Sequence, residues 1–465
     1  MVEIKAAPGR ARSCYGRLVA ASGGDPVSYS TLICALAYLP ETRAADHQAE
    51  QRRWVRRYAA HLQPIRPLHA NRPDPGKRLV LGYVSADYRW HANSFLFGIV
   101  LARHDRRNFE VVCYSNTLAE DSRTGDLKKL ADRWRPIAGL SDDQVVEKIR
   151  ADGVDILIDL SAHTDGNRLL VFARKPAPVQ VTARAQASGT GLATMDYLFG
   201  DEVATPSSIR SMFAEEVWDL PSLIPFEAPS FTPPVEPGPG ARGGAITFGC
   251  LNRFNKVTAE LLALWGEIIA AAPNTRLLIK DAALDDPEMR DLVIGIVGAR
   301  GVSADRTEFR GGTTQAEHMR AYNDVDIVLD PFPNGGGLNT WEALWMGRPV
   351  VTKRGAGIGG RISAGTLSAI GMAETIAESD AGYRHTAIAL ADLAVLRRIR
   401  ESLRDRISPR RPAIRIPTRA RSSAPIARCG KSGVRVPVRL AARLVSPQRS
   451  RDPGRPAPGR DASAG

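Results

Sequence analysis

The sequence predicts an α/β protein in which two domains, each built on a parallel sheet, face one another across a cleft. Short apolar, β-rich runs alternate with helix-compatible segments, a pattern typical of parallel strands covered by helices on both faces. The pattern occurs twice, on either side of a stretch rich in proline and glycine at residues 225–244, which indicates an interdomain connection. Ligands bind beyond the carboxyl ends of such strands, so we expect a binding site between the domains.

The composition is that of a globular protein, with 43% hydrophobic and 24% charged residues. The 465 residues are enough for two or three domains. None of the five cysteines lies in a C-x-x-C pair. The pattern therefore predicts neither a disulfide framework nor a zinc site, and it fits a reducing, cytoplasmic setting. Because there is no leader-like start and no apolar run of about 18 residues, we expect no membrane association.

Nearly all of the net charge of +13 belongs to the carboxyl-terminal residues 409–465, where 14 Lys and Arg accompany two Asp. This segment is rich in Pro, Arg, Gly and Ser and has no periodic apolar pattern, which predicts a disordered basic tail. The rest of the chain is nearly neutral, so we expect no nucleic-acid partner. Acidic residues disappear between Asp405 and Asp452, which favours the hypothesis that the tail is read in a shifted frame.

The remaining chain divides into three predicted parts. Residues 1–77 form a short helical segment with helices at 29–39 and 48–62, the second of which repeats apolar residues at helical spacing. In the first α/β domain, 78–224, we expect strands at 78–85, 109–115, 154–161 and 178–182 and a helix at 141–151. In the second, 245–408, we expect strands at 245–253, 275–281, 307–311, 326–332 and 348–352 and helices at 258–271, 315–323 and 339–346.

The segment DPFPNGGGLNTWEALWMG, residues 330–347, is the most informative for function. A strand ends at Asp330, and three glycines precede a helix that Asn339 is expected to cap, with Glu342 completing the capping box. Glycines allow a ligand to approach the backbone, and the helix start offers unpaired N–H groups that suit a diphosphate. A plain strand–helix turn remains the alternative, because the segment matches neither G-x-G-x-x-G nor a P-loop.

Two further features point to an anion site at the same strand ends. Residues 355–371 repeat the arrangement, with glycines leading into a helix that begins near Ile362. Lys256 follows the first strand of the second domain, where an ammonium can neutralise a phosphate. A flexible loop and a surface lysine are the competing interpretations.

Two histidines follow strands of the first domain. His91 comes after the first predicted strand and His163 after the third. Both are expected at the cleft, where either could act as a general base or bind an acceptor. Asp324 and Asp326 form a D-x-D string that could hold a metal, but they enter an apolar strand, so we interpret them as structural and predict no metal site.

These segments resemble the catalytic half of the O-linked N-acetylglucosamine transferase family, which includes the SPINDLY-like proteins and bacterial relatives. The matching strings are collinear over about residues 50–405: LGYVSADYRWH, FEVVCYS, DILIDLSAHTDGNR, RKPAPVQVT, GTGLATMDYLFGD, FGCLNRFNKV, AEHMRAYNDVDIVLDPFPNGGGLNTWEALWMGRPVVT and RISAGTLSAIGM. The resemblance implies the GT-B fold, in which two Rossmann-like domains face a cleft. It also implies a UDP-sugar donor and tetratricopeptide repeats before the catalytic unit, of which residues 1–77 hold at most a remnant.

The resemblance also implies roles for individual residues. His91 matches the family's active-site histidine, Lys256 its diphosphate-binding lysine and His318 a histidine beside the uridine. Arg253 replaces a glutamine near the diphosphate, and Glu342 falls where animal enzymes have an Asp on the ribose. With His163 added for its place after a strand, the expected catalytic residues are His91, His163 and Lys256. The expected donor-binding residues are Arg253, Lys256, His318, Gly335, Gly336, Gly337, Leu338, Asn339 and Glu342.

The function that the resemblance implies is inverting, metal-independent transfer of a sugar to Ser or Thr hydroxyls of a protein acceptor, with UDP-N-acetylglucosamine the favoured donor. Residues 183–191 lack the W-L-G-Y-P-G-T string usual in the family, and the chain beyond Ile407 lacks its long amphipathic helix. Three alternatives therefore stay open: N-linked transfer, glucose transfer, and a catalytically impaired binding module.

Overall fold

The structure, a computed structural model, describes residues 24–40, 42–65, 69–72, 74, 76–183 and 188–407, without the side chains of 404 and 405. The predicted disordered tail, residues 409–465, lies outside the described residues. The expected architecture is confirmed: two parallel sheets form two Rossmann-like domains. Among the described residues, no helix combines the length and apolar character that crossing a bilayer requires.

The first domain is built on a seven-stranded parallel sheet with the order β3-β2-β1-β4-β5-β6-β7. Its strands are β1 (Leu79–Ser85), β2 (Phe109–Ser115), β3 (Arg133–Pro136), β4 (Ile156–Asp159), β5 (Val179–Thr182), β6 (Tyr197–Gly200) and β7 (Glu216–Asp219). Two helices, α1 (Pro26–Leu36) and α2 (Ala44–Trp54), precede the sheets and are described below. The helices of the first domain are α3 (Ala92–Arg103), α4 (Ser122–Lys128), α5 (Asp142–Ala151), α6 (Leu169–Ala173) and α7 (Ser207–Arg210). β1, β2, β4 and β5 are almost wholly buried, because helices cover both faces of the sheet.

The second domain repeats this plan with six parallel strands in the order β10-β9-β8-β11-β12-β13. They are β8 (Ile246–Cys250), β9 (Thr275–Lys280), β10 (Thr307–Arg310), β11 (Ile327–Leu329), β12 (Val350–Lys353) and β13 (Ile376–Ala377). The helices are α8 (Ala259–Ala271), α9 (Pro287–Gly298), α10 (Gln315–Ala321), α11 (Leu338–Trp345), α12 (Ile362–Ala369), α13 (Asp380–Leu390) and α14 (Leu393–Ile407). In both sheets the chain order reverses beside the first strand of the domain, which places a crevice at the carboxyl ends there.

Two helices precede the sheets and pack on one another, α1 (Pro26–Leu36) and α2 (Ala44–Trp54). Asp25 caps α1 by accepting from two backbone amides. The pair is attached to the first domain, because the side-chain amides of Gln48 and Gln51 donate to the carbonyl oxygen of Ser188. The helices begin three to four residues earlier than expected, and the second predicted helix continues past Trp54 as π- and 3-10 turns to Leu62.

The connection between the domains, residues 225–244, has one 3-10 turn and no strand or α-helix, as expected. Its second half is fastened to the second domain. The carbonyl oxygen of Glu236 accepts hydrogen bonds from Arg348 and Arg400, each at 2.8 Å. The amide of Asn323 holds the neighbouring carbonyl of Pro234 at 3.0 Å.

Candidate active site

A cleft of about 560 Å³ separates the carboxyl ends of the two sheets. Both domains and the amino-terminal helices line it, as expected for two α/β domains that face one another. The sequence-predicted residues that line the cleft are His91, Arg253, Lys256, Gly335, Gly336, Gly337, Leu338 and Asn339. His163, His318 and Glu342 do not line it.

The loop between β11 and α11, which contains Gly335, Gly336 and Gly337 and which we call the glycine loop, is organised around the carboxylate of Asp330. This buried carboxylate accepts from the amide of Gly336 and from the hydroxyl of Thr352, both at 2.7 Å. A Cβ at Gly336 would lie 2.4 Å from Oγ1 of Thr340 and 2.8 Å from Oδ1 of Asp330. The second glycine of the loop is therefore required by packing within the protein.

The third glycine is different. Outside the adjacent residues, a Cβ at Gly337 would meet no atom closer than 3.8 Å, and the nearest belong to Ile224 and Ile362, which also line the cleft. Helix α11 begins immediately afterwards, at Leu338. The unpaired amides of its first turn therefore adjoin the open space, the arrangement that suits an anionic ligand.

The expected helix cap at Asn339 is wrong. Helix α11 begins one residue before Asn339, and its N-cap position, Gly337, makes no side-chain cap. The side-chain amide of Asn339 instead donates to the carbonyl oxygen of Leu251 at 2.8 Å. The carboxylate of Glu342 accepts from the side-chain amide of Gln315 at 2.8 Å. Both side chains join α11 to neighbouring segments, so they cannot form a capping box.

Lys256 lies at the bottom of the cleft beside the glycine loop. Its Nζ donates to the carbonyl oxygen of Gly335 at 2.7 Å. Burial lowers the pKa of Lys256 to about 8, although the nearby Asp330 carboxylate acts in the opposite direction. The ammonium is thus held next to the start of α11. Arg253, three residues beyond the end of β8, lies exposed on the same wall.

A second helix start reaches the cleft, as expected from residues 355–371. Gly359 and Ile362 line the cleft where α12 begins. The loop before α12 is tightly folded, because a Cβ at Gly360 would lie 2.3 Å from the carbonyl oxygen of Pro333. Two helix starts and Lys256 therefore share one wall of the cleft, which concentrates positive potential there.

His91 lies on the opposite wall and is the N-cap of α3. Its Nδ1 accepts from the amide of Asn93 at 3.3 Å and lies 3.3 Å from Oδ2 of Asp87. Asp87 and Asn93 also line the cleft. Nδ1 accepts from Asn93 when it carries no proton and donates to Asp87 when it carries one, so the ring is held at the cleft in either state.

The expectation that His163 faces the cleft is wrong. This histidine follows the fourth strand of the domain and is 3% exposed. Its Nε2 lies 3.0 Å from the carbonyl oxygen of Thr190, and its Nδ1 lies 3.1 Å from the hydroxyl of Ser30 in α1. Burial lowers its pKa to about 3, so the ring is neutral and joins α1 to the first domain. The adjoining residues Thr164–Gly166 line the cleft instead.

His318 and Glu342 form a pair behind the glycine loop. Nε2 of His318 lies 3.5 Å from Oε2 of Glu342 and 3.5 Å from the amide nitrogen of Asn339. The His318 ring also packs edge-on against Tyr322. These side chains adjoin the cleft through Asn339, and their predicted roles at the nucleoside remain predictions.

The amino-terminal helices also contribute to the cleft, which was not expected from the sequence. Cys34 and Tyr38, in α1 and just beyond it, line the cleft beside the loops of the first domain. Arg89, Asn116 and Leu118 line it as well. The sequence signal was available only for the loops, which follow predicted strands; nothing in α1 indicates that it reaches the cleft.

The D-x-D string lies before β11, at the end of that strand opposite to the cleft. Asp326 precedes β11, and its carboxylate accepts from the amides of Gly240 and Thr247, both at 3.0 Å. Asp324 forms an ion pair with Arg310 at 2.7 Å. Because both residues precede β11 and their carboxylates serve these contacts, the structural interpretation agrees with their placement. Within the described ranges, no group of His, Cys, Asp or Glu side chains has the arrangement of a metal site.

The sequence is similar to known proteins over most of its length. The profile described as Glycosyl transferase family 41 matches residues 59–224 and 240–413. A protein of Petunia hybrida named "Probable UDP-N-acetylglucosamine--peptide N-acetylglucosaminyltransferase SPINDLY" is 36% identical over 342 residues, which are 72% of this chain and 37% of that protein. The protein of the same name from Solanum lycopersicum is 34% identical over 383 residues, 81% of this chain and 41% of that one. The chain thus spans less than half the length of these relatives.

The fold is also similar to a solved structure. A lysine-to-methionine mutant of the O-GlcNAc transferase of Thermobaculum terrenum superimposes with a TM-score of 0.81 at 35% identity. The similarity covers 86% of this chain and 76% of that one. Two Rossmann-like domains that share one cleft constitute the GT-B architecture, which the structure and this likeness together confirm.

Proposed function

The chain belongs to glycosyl transferase family 41, and we propose that it transfers N-acetylglucosamine from UDP-N-acetylglucosamine to Ser or Thr hydroxyls of a protein. One observation carries the proposal beyond family membership. A single cleft has Lys256 and two helix starts on one wall and His91 on the other. The first wall suits a nucleotide diphosphate, and the second presents a titratable ring to whatever lies beside it.

The donor is proposed to bind on the wall of the second domain. Lys256, Arg253 and the backbone amides from Gly337 to Asn339 would hold the diphosphate, while Gly335 and Gly336 shape the loop beside it. His318 and Glu342, which adjoin Asn339, would lie toward the nucleoside. Because the ammonium and the helix starts are fixed in place before the reaction, they would stabilise negative charge as it develops on the leaving oxygen.

The acceptor is proposed to approach from the wall of the first domain. Its hydroxyl oxygen would attack the anomeric carbon while the bond from that carbon to the diphosphate breaks, which inverts the configuration. The hydroxyl proton would leave to His91 or to another base that His91 orients. The position of His91 across the cleft from Lys256 supports this division of roles.

We propose that the transfer needs no metal, because Lys256 and two helix starts already supply positive charge for the diphosphate. Full activity in the presence of EDTA is the expected result. Activity that EDTA abolishes and Mg²⁺ or Mn²⁺ restores would overturn this part of the mechanism.

The test of the proposed function is incubation of the full chain with UDP-N-acetylglucosamine and candidate proteins, followed by measurement of UDP release and intact mass. A mass increase of one N-acetylhexosamine on the acceptor, lost in Lys256→Met, supports the proposal. UDP-glucose in a parallel reaction tests glucose transfer, and mapping of the modified residue separates O-linked from N-linked transfer. UDP binding without release of UDP from any donor would favour the impaired binding module.

A further inference from the structure

Two large apolar side chains are exposed on the loops of the first domain that border the cleft. Leu118 lines the cleft and is 93% exposed. Trp90 is 51% exposed and lies between Arg89 and His91, both of which line the cleft. We call Trp90 and Leu118 the apolar lip. Exposed aromatic and aliphatic side chains that adjoin a polar cleft are typical of binding surfaces.

The loops that carry the lip are fastened to one another. The amide of Trp90 donates to Asp121 at 2.6 Å, beyond β2, and the amide of Tyr88 donates to the hydroxyl of Thr117 at 3.1 Å. The hydroxyl of Thr124 donates back to the carbonyl oxygen of Tyr88 at 2.6 Å. The loop after β1 and the loop after β2 therefore form one unit, so the lip is preformed and a partner would lose little entropy in ordering it.

The ring of Trp90 is supported from behind. It packs edge-on against Phe95 with ring centres 5.2 Å apart, and the guanidinium of Arg123 lies 4.6 Å from the centre of the Phe95 ring. The indole thus rests on α3 with about half of its surface open. Such a ring provides a rigid, amphipathic contact area.

We propose that the apolar lip binds the acceptor polypeptide through an apolar side chain that flanks the modified residue. This inference rests on the proposed function. The donor groups lie on the opposite wall of the cleft, so the lip adjoins the side from which an acceptor would enter. A second copy of the chain is a poorer occupant: Trp90 and Leu118 together offer a few hundred Å² at most, against about 800 Å² per partner for a stable protein interface.

The test measures sugar transfer to two sets of serine peptides by the wild-type protein, Trp90→Ala and Leu118→Ala. One set has leucine at each flanking position in turn, and the other has glycine at every flanking position. Both variants are expected to raise KM roughly 10-fold for the preferred leucine peptide, the loss of an interface anchor. The glycine peptide should be affected little, and UDP affinity should not change. Trp90→Phe should restore most of the lost affinity, and Leu393→Ala, which removes a 48% exposed leucine on α14, should behave as wild type.

A second measurement does not depend on sugar transfer. Binding of the leucine peptide should shift the tryptophan emission of wild type but not of Trp90→Phe. A peptide-dependent shift without any transfer would contradict the proposed function and leave the lip standing. The lip proposal is overturned if KM is the same in wild type and in the variants, or if KM rises equally for both peptide sets. It is also overturned if UDP affinity falls together with peptide affinity, or if sedimentation shows that Trp90→Ala dissociates a dimer.

Discussion

Nζ of Lys256 donates to the carbonyl oxygen of Gly335 at 2.7 Å, so the 3-10 turn that follows β8 is joined directly to the glycine loop that precedes α11. The contact places an ammonium beside a helix start, where both attract the same anion. It also keeps the lysine partly buried, which lowers its pKa to about 8. The lysine therefore loses its charge at a lower pH than an ordinary lysine does.

We expect UDP affinity to fall as the pH rises above about 8. Below that pKa the Lys256 ammonium is charged and attracts the diphosphate, and above it the charge is lost. Calorimetric titration with UDP between pH 7 and 9.5 measures the effect. Lys256→Arg, which stays charged, should show a flatter profile, and Lys256→Met should bind weakly throughout. An equally steep decline in Lys256→Arg would assign the effect to another group.

The glycine loop offers a matched pair of variants. Gly336→Ala should lower the melting temperature, because the new methyl would lie 2.4 Å from Oγ1 of Thr340 in a packed interior. Gly337→Ala should cost much less stability, since the nearest atom outside the adjacent residues lies 3.8 Å from the added Cβ. It should instead weaken UDP binding by filling the cleft. If both variants lose stability alike and Gly337→Ala binds UDP normally, the cleft beside Gly337 is not the nucleotide site.

His91→Ala is expected to lower turnover roughly 100-fold or more, the scale of losing a general base, while UDP affinity changes little. The reason is its place on the wall of the first domain, across the cleft from Lys256. Turnover with saturating donor and UDP affinity by calorimetry separate the two effects. His91→Gln serves as the control for the lost cap on α3, because it keeps a polar side chain there. Parallel loss of turnover and UDP affinity would place His91 in the nucleotide site.

His163→Gln should change the free energy of unfolding and leave UDP affinity intact, because the ring lies between α1 and the first domain and not at the cleft. The folded protein keeps this histidine neutral, with a pKa of about 3, whereas the unfolded chain takes up a proton near pH 6.5. Stability is therefore lost as the pH falls below 6.5, by about 2 kcal/mol between pH 6.5 and 5 for one such group. Thermal melts at pH 7 and 5 should show a smaller acid loss in His163→Gln than in wild type. An unchanged acid loss would mean that other buried histidines, such as His104, dominate it.

The parts of the fold that could be predicted are the buried ones. β1, β2 and β9 are long apolar runs, and the sequence predicts them almost to the residue. β3, β6, β7 and β13 were not expected. β3 is the run RWRP and β7 is EVWD, and both lie at the outer edges of the first sheet, where one side lacks a neighbour and little apolar surface is needed. Pairing with a neighbour in space, which no local pattern encodes, decides that such segments are strands.

The site could be predicted where it depends on strand ends and not where it depends on side-chain direction. Lys256 and His91 follow strands and line the cleft. His163 also follows a strand, but the residue before it, Ala162, has a φ of 47°, and the histidine side chain lies against α1 instead of the cleft. The cap assigned to Asn339 failed for a related reason: a distant acceptor, the carbonyl of Leu251, holds its amide. Neither hydrogen-bond partner, Ser30 for His163 nor Leu251 for Asn339, is near in sequence.

The fastening of the interdomain connection fixes where the molecule can bend. From Pro234 onward the connection is bonded to Asn323, Arg348 and Arg400 and must travel with the second domain. Upstream, the ring of Phe226 stacks on Trp341 of α11 with ring centres 5.6 Å apart, so the connection contacts the second domain from its first residues. Any rotation at this connection that widens the cleft must therefore take place before Phe226 or separate the two rings. Pro225 lies directly before Phe226 and fixes a backbone dihedral there, which narrows the range of axes about which one domain could swing.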